Sequence, residues 1–491
     1  MKRLGALIGL LLLGCGSAAL AAGPTSEVLT YHGRPDRSGN FVVPKLTWAH
    51  APALQLDTSF NPQFTGNLYA QPLYWQAPGS ASGVLVVATE SDNVYAIDAT
   101  SGGILWSRSL GTPVPGSSLP CGNIDPLGIT GTPVIDAKSQ AVFLDAATGG
   151  TGQMHHQVWG LSLKDGATLP GWPVDIGAAV GGFQPLYQNQ RGALAILGGR
   201  VYVPYGGHFG DCGPYRGWIV GISLASPSDI VTWRTRAQGG GIWAPGGIGS
   251  SGGSLFAATG NTVGASRWAD GEAVFRLPPS LAHSPSAADF FAAADWRRLD
   301  NRDLDIGGTN PLPLDPPLPG GGTQPLLLAL GKNRRAYLID RQNLGGIGHS
   351  LLAMTVASGE IITAPAAYPS ADGVYAAFGG AGANCRAGHN NGVVILDIRA
   401  GSPPSMTTAW CNGNFDGSGS PIVTTTDGGA NPIVWIVDGE GSNQLWGFRG
   451  DTGGRLYMSP QLSGLRHLQT LIATGNRLYV GADGRVYAFS F

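Results

Sequence analysis

The chain contains five cysteines, and lipidation or oxidation is the chemistry that they could carry. Cys15 ends the string Leu12-Leu13-Gly14-Cys15, which resembles a bacterial lipobox, in which the cysteine is lipidated and becomes the new N-terminus. Cys121, Cys212, Cys385 and Cys411 remain, an even number that suits two disulfides in an oxidising compartment. The cysteines therefore predict a protein that leaves the cytoplasm.

Residues 1–22 have the layout of a signal peptide: Lys2 and Arg3, an apolar run from Leu4 to Leu13, and then small residues. A run of about ten residues is too short to cross a bilayer as a helix, which needs about 20. Ala19-Leu20-Ala21 is a second candidate cleavage site, for ordinary signal peptidase, and both sites stay open. Either one predicts export to the periplasm, to the outer membrane as a lipoprotein, or to the extracellular space, with membrane contact only through a lipid anchor.

The amino-acid composition limits which folds and which classes of binding partner are compatible with the chain. Of 491 residues, 78 are glycine and 35 proline, which is too many helix breakers for long helices and suits many short strands. Hydrophobic residues make up 43% of the chain, enough for a large core. The net charge of −2 argues against nucleic-acid binding, which needs a basic stripe.

A repeated segment organises the rest of the chain. Tyr95 to Trp106 holds an aromatic-led strand, a tight Asp/Gly turn and a second strand that ends in tryptophan, and weaker copies recur to the C-terminus. The strand-end tryptophans lie about 60 residues apart, and a unit of four short strands at such a period is typical of a propeller. We therefore predict an all-β fold, an eight-bladed β-propeller of four-stranded antiparallel blades.

The ends of the chain are predicted to close the ring. The C-terminal unit supplies three strands between Gln469 and Phe491 but no tryptophan-bearing fourth strand. Lys45-Leu46-Thr47-Trp48 is such a strand without partners, so we expect it to complete the eighth blade and remove an exposed edge. This gives a signal peptide over 1–22, an N-terminal extension over 23–44 and one propeller domain over 45–491.

Blade topology predicts which loops lie together. In an antiparallel meander, the loops between second and third strands share one face with the connections between blades. All four remaining cysteines map to this face, here called the cysteine face. The pairs that this geometry allows are Cys121–Cys212 and Cys385–Cys411, since a disulfide needs Cα atoms within about 7 Å. The longest loops, 113–128, 206–217 and 379–392, also lie there, so function is expected on this face.

Two other motifs carry less weight. His155, His156, His208, His389 and His467 map to the cysteine face and permit a transition-metal site, although no ligand spacing supports one. Residues 249–253 match G-x-S-x-G, but a nucleophile elbow needs a strand-to-helix turn of an α/β sheet, so a serine hydrolase is excluded.

The segment from Tyr95 to Trp106 resembles the repeat of the pyrroloquinoline quinone (PQQ) propeller family. The resemblance implies the propeller fold over nearly the whole mature chain. It leaves function open, because the repeat builds quinoprotein dehydrogenases, the lipoprotein propeller of the outer-membrane β-barrel assembly machine, and exported propellers of unassigned role.

Residues 199–345 resemble the dehydrogenases more closely, through Gly239-Gly-Gly-Ile-Trp243, Ala258-Thr-Gly-Asn261 and Gly331-Lys332-Asn333. The resemblance implies a quinone slot and a Ca²⁺ site. The implied roles are a stacking floor for Trp243, quinone or cofactor contacts for Lys332 and Arg216, Ca²⁺ ligation for Asp211, Asn261 and Asp303, and a catalytic base in Asp300 or Asp303, with Asp305 beside them.

The chain also departs from the dehydrogenases. It has no adjacent cysteine pair, Asp211 stands where they have a glutamate, and without Cys-x-x-Cys-His there is no covalent haem, so electrons would need an external acceptor. The same residues have structural alternatives: Trp243 as channel packing, Asn261 and Lys332 as turn residues, and the aspartates as backbone caps.

Two functional hypotheses follow. The first is a cell-envelope scaffold that binds a protein or a small-molecule ligand at the cysteine face; the alternative is a PQQ- and Ca²⁺-dependent alcohol or aldehyde dehydrogenase. We expect a monomer. A polar channel on which Trp243, Asn261, Asp303 and Lys332 converge favours the enzyme, and a channel filled by loop 113–128 favours the scaffold.

Overall fold

Short strands and tight turns make up most of the protein, as its glycine and proline content predicts. The structure is a computed structural model and describes residues 27–150, 153–386, 391–413, 415 and 417–491. The predicted signal peptide with Cys15, and also His389, lie outside the described residues. The described helices are short: α-helices at Ile176–Ala179 and Trp296–Asp300, and 3-10 turns at Tyr31–Gly33, Ala51–Ala53, Gly116–Ser118, Pro185–Tyr187, Ala287–Asp289 and Ile306–Gly308. Among the described residues, no helix combines the length and apolarity needed to cross a membrane.

Eight antiparallel sheets follow one another along the chain, which confirms the predicted eight-bladed, all-β propeller. The first strands of successive blades contact each other and line the central channel. In chain order, the strands are Leu73–Trp75, Val84–Ala88, Asn93–Asp98 and Ile104–Ser109 in blade 1; Val134–Asp136, Ala141–Gly150, Gln153–Ser162 and Val174–Asp175 in blade 2; Ala195–Leu197, Arg200–Tyr205, Trp218–Ser223 and Ile230–Arg234 in blade 3; and Gly249–Ser251, Ser254–Thr259, Ala273–Leu277 and Phe290–Ala292 in blade 4.

Blades 5 to 8 repeat this order, and two blades carry a fifth, parallel strand. Their strands are Leu312–Leu314, Leu326–Leu330, Arg335–Asp340 and Leu352–Thr355 in blade 5; Ala366–Pro369, Val374–Gly379, Val393–Arg399 and Ser405–Asn412 in blade 6; Ile422–Thr425, Ile433–Val437, Leu445–Arg449 and Arg455–Met458 in blade 7; and Leu471–Ala473, Arg477–Ala482, Arg485–Ser490 and Gln55–Leu56 in blade 8. Gly346–Ile347 is added to blade 4 and Asn40–Val42 to blade 7.

The repeated tryptophan packs on the repeated glycine of the next blade. The Trp106 indole N–H of blade 1 donates to Leu163 O of blade 2, at 3.0 Å. A Cβ on Gly166 (φ +70°) would lie 2.7 Å from the Trp106 ring, so this turn requires glycine. Trp410 of blade 6 and Gly453 of blade 7 repeat the contact. The sequence repeat therefore marks the contact that joins each of these blades to its neighbour.

The strand that completes blade 8 differs from the predicted one. Gln55–Leu56 pairs antiparallel with Arg485–Ser490, so the prediction that Lys45–Trp48 is the outer strand is wrong. Trp48 is held elsewhere because its indole N–H donates to Pro432 O at 2.8 Å and the Arg449 guanidinium lies 3.8 Å over its ring. The tryptophan thus anchors the segment to blade 7 instead of extending blade 8.

Residues 27–43, here called the N-terminal plug, fill the central channel. The plug hydrogen-bonds to first strands on several sides of the ring: Val28 to Tyr74 in blade 1, Leu29 to Ile135 in blade 2, Ser38 to Ala367 in blade 6, and Asn40–Val42 to Ile422–Thr425 in blade 7. A segment that reaches all of these strands must lie between them. The segment in the channel is therefore the plug, and not loop 113–128.

A buried arginine fixes the plug. Arg37 is fully buried, and its Nη2 donates to Leu194 O at 2.8 Å and to Ile248 O at 2.6 Å, the carbonyls that precede blades 3 and 4. Its Nη1 donates to Thr30 Oγ1 and to Tyr31 O within the plug. These carbonyl and hydroxyl acceptors offset the cost of burying the guanidinium.

Candidate functional site

The predicted site residues all lie on the cysteine face of blades 3, 4 and 5. Two kinds of backbone segment carry them: loops between second and third strands, and the connections between blades. Backbone hydrogen bonds join two of these segments, since Gly240 N–H donates to Asn261 O at 2.6 Å and Gly260 N–H donates to Gly241 O at 3.0 Å. Residues that are distant in sequence are thereby fixed against one another.

Lys332 lies at the centre of the site. Its ammonium contacts Asp303 Oδ1 at 2.8 Å and Asp305 Oδ2 at 2.9 Å, and it lies over the Trp243 ring, 5.1 Å from the centroid. The backbone N–H of Asn261 donates to the other oxygen of Asp305, at 2.8 Å. The structure thus brings together Trp243, Asn261, Asp303, Asp305 and Lys332, five of the residues that the sequence singled out.

The ion pairs of Lys332 with Asp303 and Asp305, here called the Lys332 bridge, are strengthened by burial of Lys332 and Asp305. Asp305 is 3% exposed and Lys332 14%, whereas Asp303 is 61% exposed. Burial alone would lower the pKa of Lys332, but Asp305 and Asp303 outweigh it and raise that pKa. Burial raises the pKa of Asp305, and the Lys332 charge opposes this shift. Lys332 therefore stays charged and pairs with both carboxylates.

Glu272 belongs to the same cluster and was missed by sequence reasoning. Its side chain is fully buried, Oε2 accepts from the Ile306 N–H at 2.8 Å, and Oε1 has no hydrogen-bond partner within the described ranges. Burial, and then the charge of Asp305, raises the pKa of Glu272 well above its usual range. The one feature of the sequence that could have indicated Glu272 is its position directly before the strand Ala273–Leu277.

The other predicted residues are held outside the Lys332 bridge. The Tyr215 hydroxyl donates to Asp211 at 2.5 Å, and Asp300 accepts from the backbone and hydroxyl of Thr262 at 2.8 and 2.6 Å. The Arg216 guanidinium donates to Thr235 O at 3.0 Å and to Arg236 O at 2.5 Å. All three side chains therefore have local partners.

The two predicted disulfides are confirmed. Cys121–Cys212 and Cys385–Cys411 have Cα atoms 6.1 and 5.6 Å apart. The first joins the connection between blades 1 and 2 to the long loop of blade 3, where Phe209 is 72% exposed. The cysteine face therefore carries covalently fixed loops and an exposed aromatic side chain.

The histidines of this face have separate partners. His155 contacts Asp175, His156 contacts Asp145, His208 contacts Leu186 O, and His467 contacts Glu440, at 2.7, 2.7, 3.1 and 2.8 Å. Within the described ranges, no three His, Cys, Asp or Glu side chains are placed to share a metal ion.

Ca²⁺ does not fit the described arrangement of the predicted ligands. Two of the three predicted ligands already have partners, since Asp303 contacts the Lys332 ammonium and Asp211 accepts a hydrogen bond from Tyr215. A quinone fits only in part: Trp243 could supply an aromatic floor, but Lys332 already contacts its ring. No reaction step is therefore assigned to either group.

Comparison with known proteins supports the fold. Residues 48–226 match a PQQ-repeat family model described as outer membrane protein assembly factor BamB. No protein of curated function matches the sequence.

Solved structures match over most of the chain. Quinohemoprotein alcohol dehydrogenase from Comamonas testosteroni is 16% identical, with a TM-score of 0.65 over 96% of this chain and 81% of that one. A europium-containing methanol dehydrogenase is 14% identical, with a TM-score of 0.64 over 95% and 98%. BamB from Moraxella catarrhalis is 15% identical, with a TM-score of 0.52 over 89% and 100%. Because these identities are so low, the solved structures are evidence for the fold alone, and that fold is an eight-bladed β-propeller.

Proposed function

We propose that this protein is an exported cell-envelope propeller that binds a partner protein or a small-molecule ligand through its cysteine face and performs no chemistry there. The Lys332 bridge carries this proposal. A general base must have a free carboxylate within reach of its substrate, and Asp303 and Asp305 both accept hydrogen bonds from one ammonium.

Two further observations support binding on this face. The Cys121–Cys212 disulfide fixes two long loops before any ligand arrives, which reduces the entropy lost on binding. The exposed Phe209 ring extends from one of these loops and offers apolar contact area to a partner. Export is supported by the two disulfides, which persist in oxidising compartments.

The dehydrogenase is the competing hypothesis, and the convergence of Trp243, Asp303 and Lys332 favours it. It would have PQQ stacked on Trp243, with Ca²⁺ bound by Asp303, Asn261 and Asp211. This requires Lys332 to leave the carboxylates and Asp211 to leave Tyr215, so it calls for a rearranged site. The fold similarity to dehydrogenases does not decide between the hypotheses, because the same fold similarity extends to BamB.

Titration with PQQ separates the two. Purified, oxidised protein is titrated with PQQ, with and without Ca²⁺, while tryptophan fluorescence is recorded. We expect no saturable, Ca²⁺-dependent quenching, and the same weak response from the wild type, Trp243→Ala and the control Trp106→Ala. Tight Ca²⁺-dependent quenching that is lost in Trp243→Ala and retained in Trp106→Ala would contradict the proposal.

A further inference from the structure

We propose that a cavity between blades 2 and 3 on the cysteine face binds the oxyanion group of a small-molecule ligand (a carboxylate, phosphate or sulfate) through Arg216 and Arg234. The cavity has a volume of about 270 Å³. Its lining consists of Gly182, Gln184, Gln188, Pro214, Arg216, Trp218, Arg234 and Gln238. Trp243, Asp303 and Lys332 are not part of it, so the inference rests on the proposed binding role of the cysteine face and not on the contacts of Lys332.

Strand pairing places both arginines on one side of blade 3. Trp218 and Arg234 are directly paired residues of adjacent antiparallel strands, so their side chains lie on the same face of the sheet. Arg216 precedes Trp218 by two residues, which is one strand repeat. The Arg234 guanidinium accordingly lies over the Trp218 ring, 5.1 Å from its centroid.

The positive charge of the cavity is not compensated. Nine other arginines of the described part of the chain contact an aspartate: Arg200, Arg236, Arg276, Arg298, Arg341, Arg399, Arg449, Arg466 and Arg477. Within the same ranges, neither Arg216 nor Arg234 has such a partner, and no carboxylate lines the cavity. A bound anion would relieve the repulsion between these two neighbouring guanidinium groups.

The two arginines are close enough to repel each other. Burial, and next the positive charge of Arg234, lowers the pKa of Arg216. Arg216 is nevertheless fixed, because its Nη1 donates to the carbonyls of Thr235 and Arg236 and its backbone N–H donates to Gln188. Its Nε and Nη2 donors make no hydrogen bond to the described residues, and neither does the Arg234 guanidinium. Planar guanidinium groups held in this way match the paired oxygens of a carboxylate or phosphate.

The size of the cavity limits the ligand. At about 270 Å³ it lies just below the usual range of small-molecule sites, so it suits a small anion or the anionic end of a small metabolite. Gln188 and Gln238 are locked by hydrogen bonds to backbone carbonyls and shape the wall. The cavity is therefore expected to recognise the oxyanion group of the ligand, and it leaves little room for apolar groups.

Isothermal titration at constant ionic strength tests the site, with sodium acetate, phosphate and sulfate as separate ligands and chloride as the reference. We expect one binding site per chain for at least one oxyanion. Arg234→Gln should weaken it about tenfold or more, because a charge-assisted bond is lost. Arg234→Lys should retain part of the affinity. Arg455→Gln is the matched control, since Arg455 also stacks on a tryptophan, Trp446, at 5.8 Å, and it should change nothing.

Either of two results would overturn the proposal: no oxyanion binding up to about 20 mM, or binding that Arg234→Gln leaves unchanged. Unfolding of each variant, followed by circular dichroism, shows that the comparison is made between folded proteins. Comparison of the separate titrations with acetate, phosphate and sulfate shows which class of anion the cavity binds. PQQ binding is measured separately, so failure of this site alone leaves the proposed binding role of the cysteine face intact.

Discussion

Lys332→Met is the substitution that examines the Lys332 bridge most sharply. It removes the ammonium and leaves Asp305, which is 3% exposed, with the Asn261 N–H as its one remaining hydrogen-bond donor in the described part of the chain. Breaking a buried ion pair by removing one partner typically costs about 3–5 kcal/mol. Since Asp303 is largely exposed and adds little, we expect a loss of about 3 kcal/mol in the free energy of unfolding at neutral pH.

The loss should depend on pH with a definite sign. The folded pKa of Asp305 is raised above its unfolded value of 3.8, so its contribution to stability is complete below pH 3.8 and is lost as pH rises through the folded pKa. Without Lys332 the folded pKa rises further. The stability gap between wild type and Lys332→Met should therefore widen as pH rises above about 4 and narrow in acid.

Urea unfolding of oxidised protein at pH 4.5, 6 and 7.5 measures this gap, with Lys332→Arg as the charge-retaining control. The double variant Lys332→Met with Asp305→Asn removes both partners and should recover most of the lost stability. A gap that is independent of pH, or a double variant as unstable as the single one, would refute the assignment of Lys332 as the partner of buried Asp305.

Two other predictions concern the framework. Replacing both cysteines of Cys121–Cys212 by serine should lower the free energy of unfolding by about 1 kcal/mol more than the same change at Cys385–Cys411. The two disulfides span 91 and 26 residues, and a longer closed loop restricts the unfolded chain more. The urea midpoints of the two double variants test this order. Arg37→Met should lower the free energy of unfolding by about 3 kcal/mol, because the carbonyls that Arg37 donates to stay buried without a donor. It should also speed proteolysis within the plug. A variant as stable and as protease-resistant as the wild type would contradict this prediction.

The fold could be predicted because its signals are local and repeated. The tryptophan and turn glycine recur in several units, and two such pairs, Trp106 with Gly166 and Trp410 with Gly453, contact each other between blades. The outer strand of blade 8 was misplaced because Gln55–Leu56 has only two residues and no alternation to mark it. Trp48 carried the stronger signal, but its indole anchors to blade 7.

The plug and the centre of the site could not be predicted in the same way. Arg37 is buried because it meets carbonyls 157 and 211 residues away, and nothing in residues 27–43 repeats. Blade order was enough to place Trp243, Asp303 and Lys332 on one face. Their pairing depends on the path of the connection between blades 4 and 5, which sequence spacing does not specify.

A crystal structure of protein crystallised with PQQ and Ca²⁺ tests the central claim most directly, because it shows where the Lys332 ammonium lies when both groups are available. We predict Lys332 Nζ within hydrogen-bond distance of both Asp303 and Asp305, as in the present structure, with no quinone over Trp243. A planar quinone stacked on Trp243, with Ca²⁺ bound to Asp303 and Lys332 turned away from it, would contradict the scaffold account and establish the dehydrogenase site.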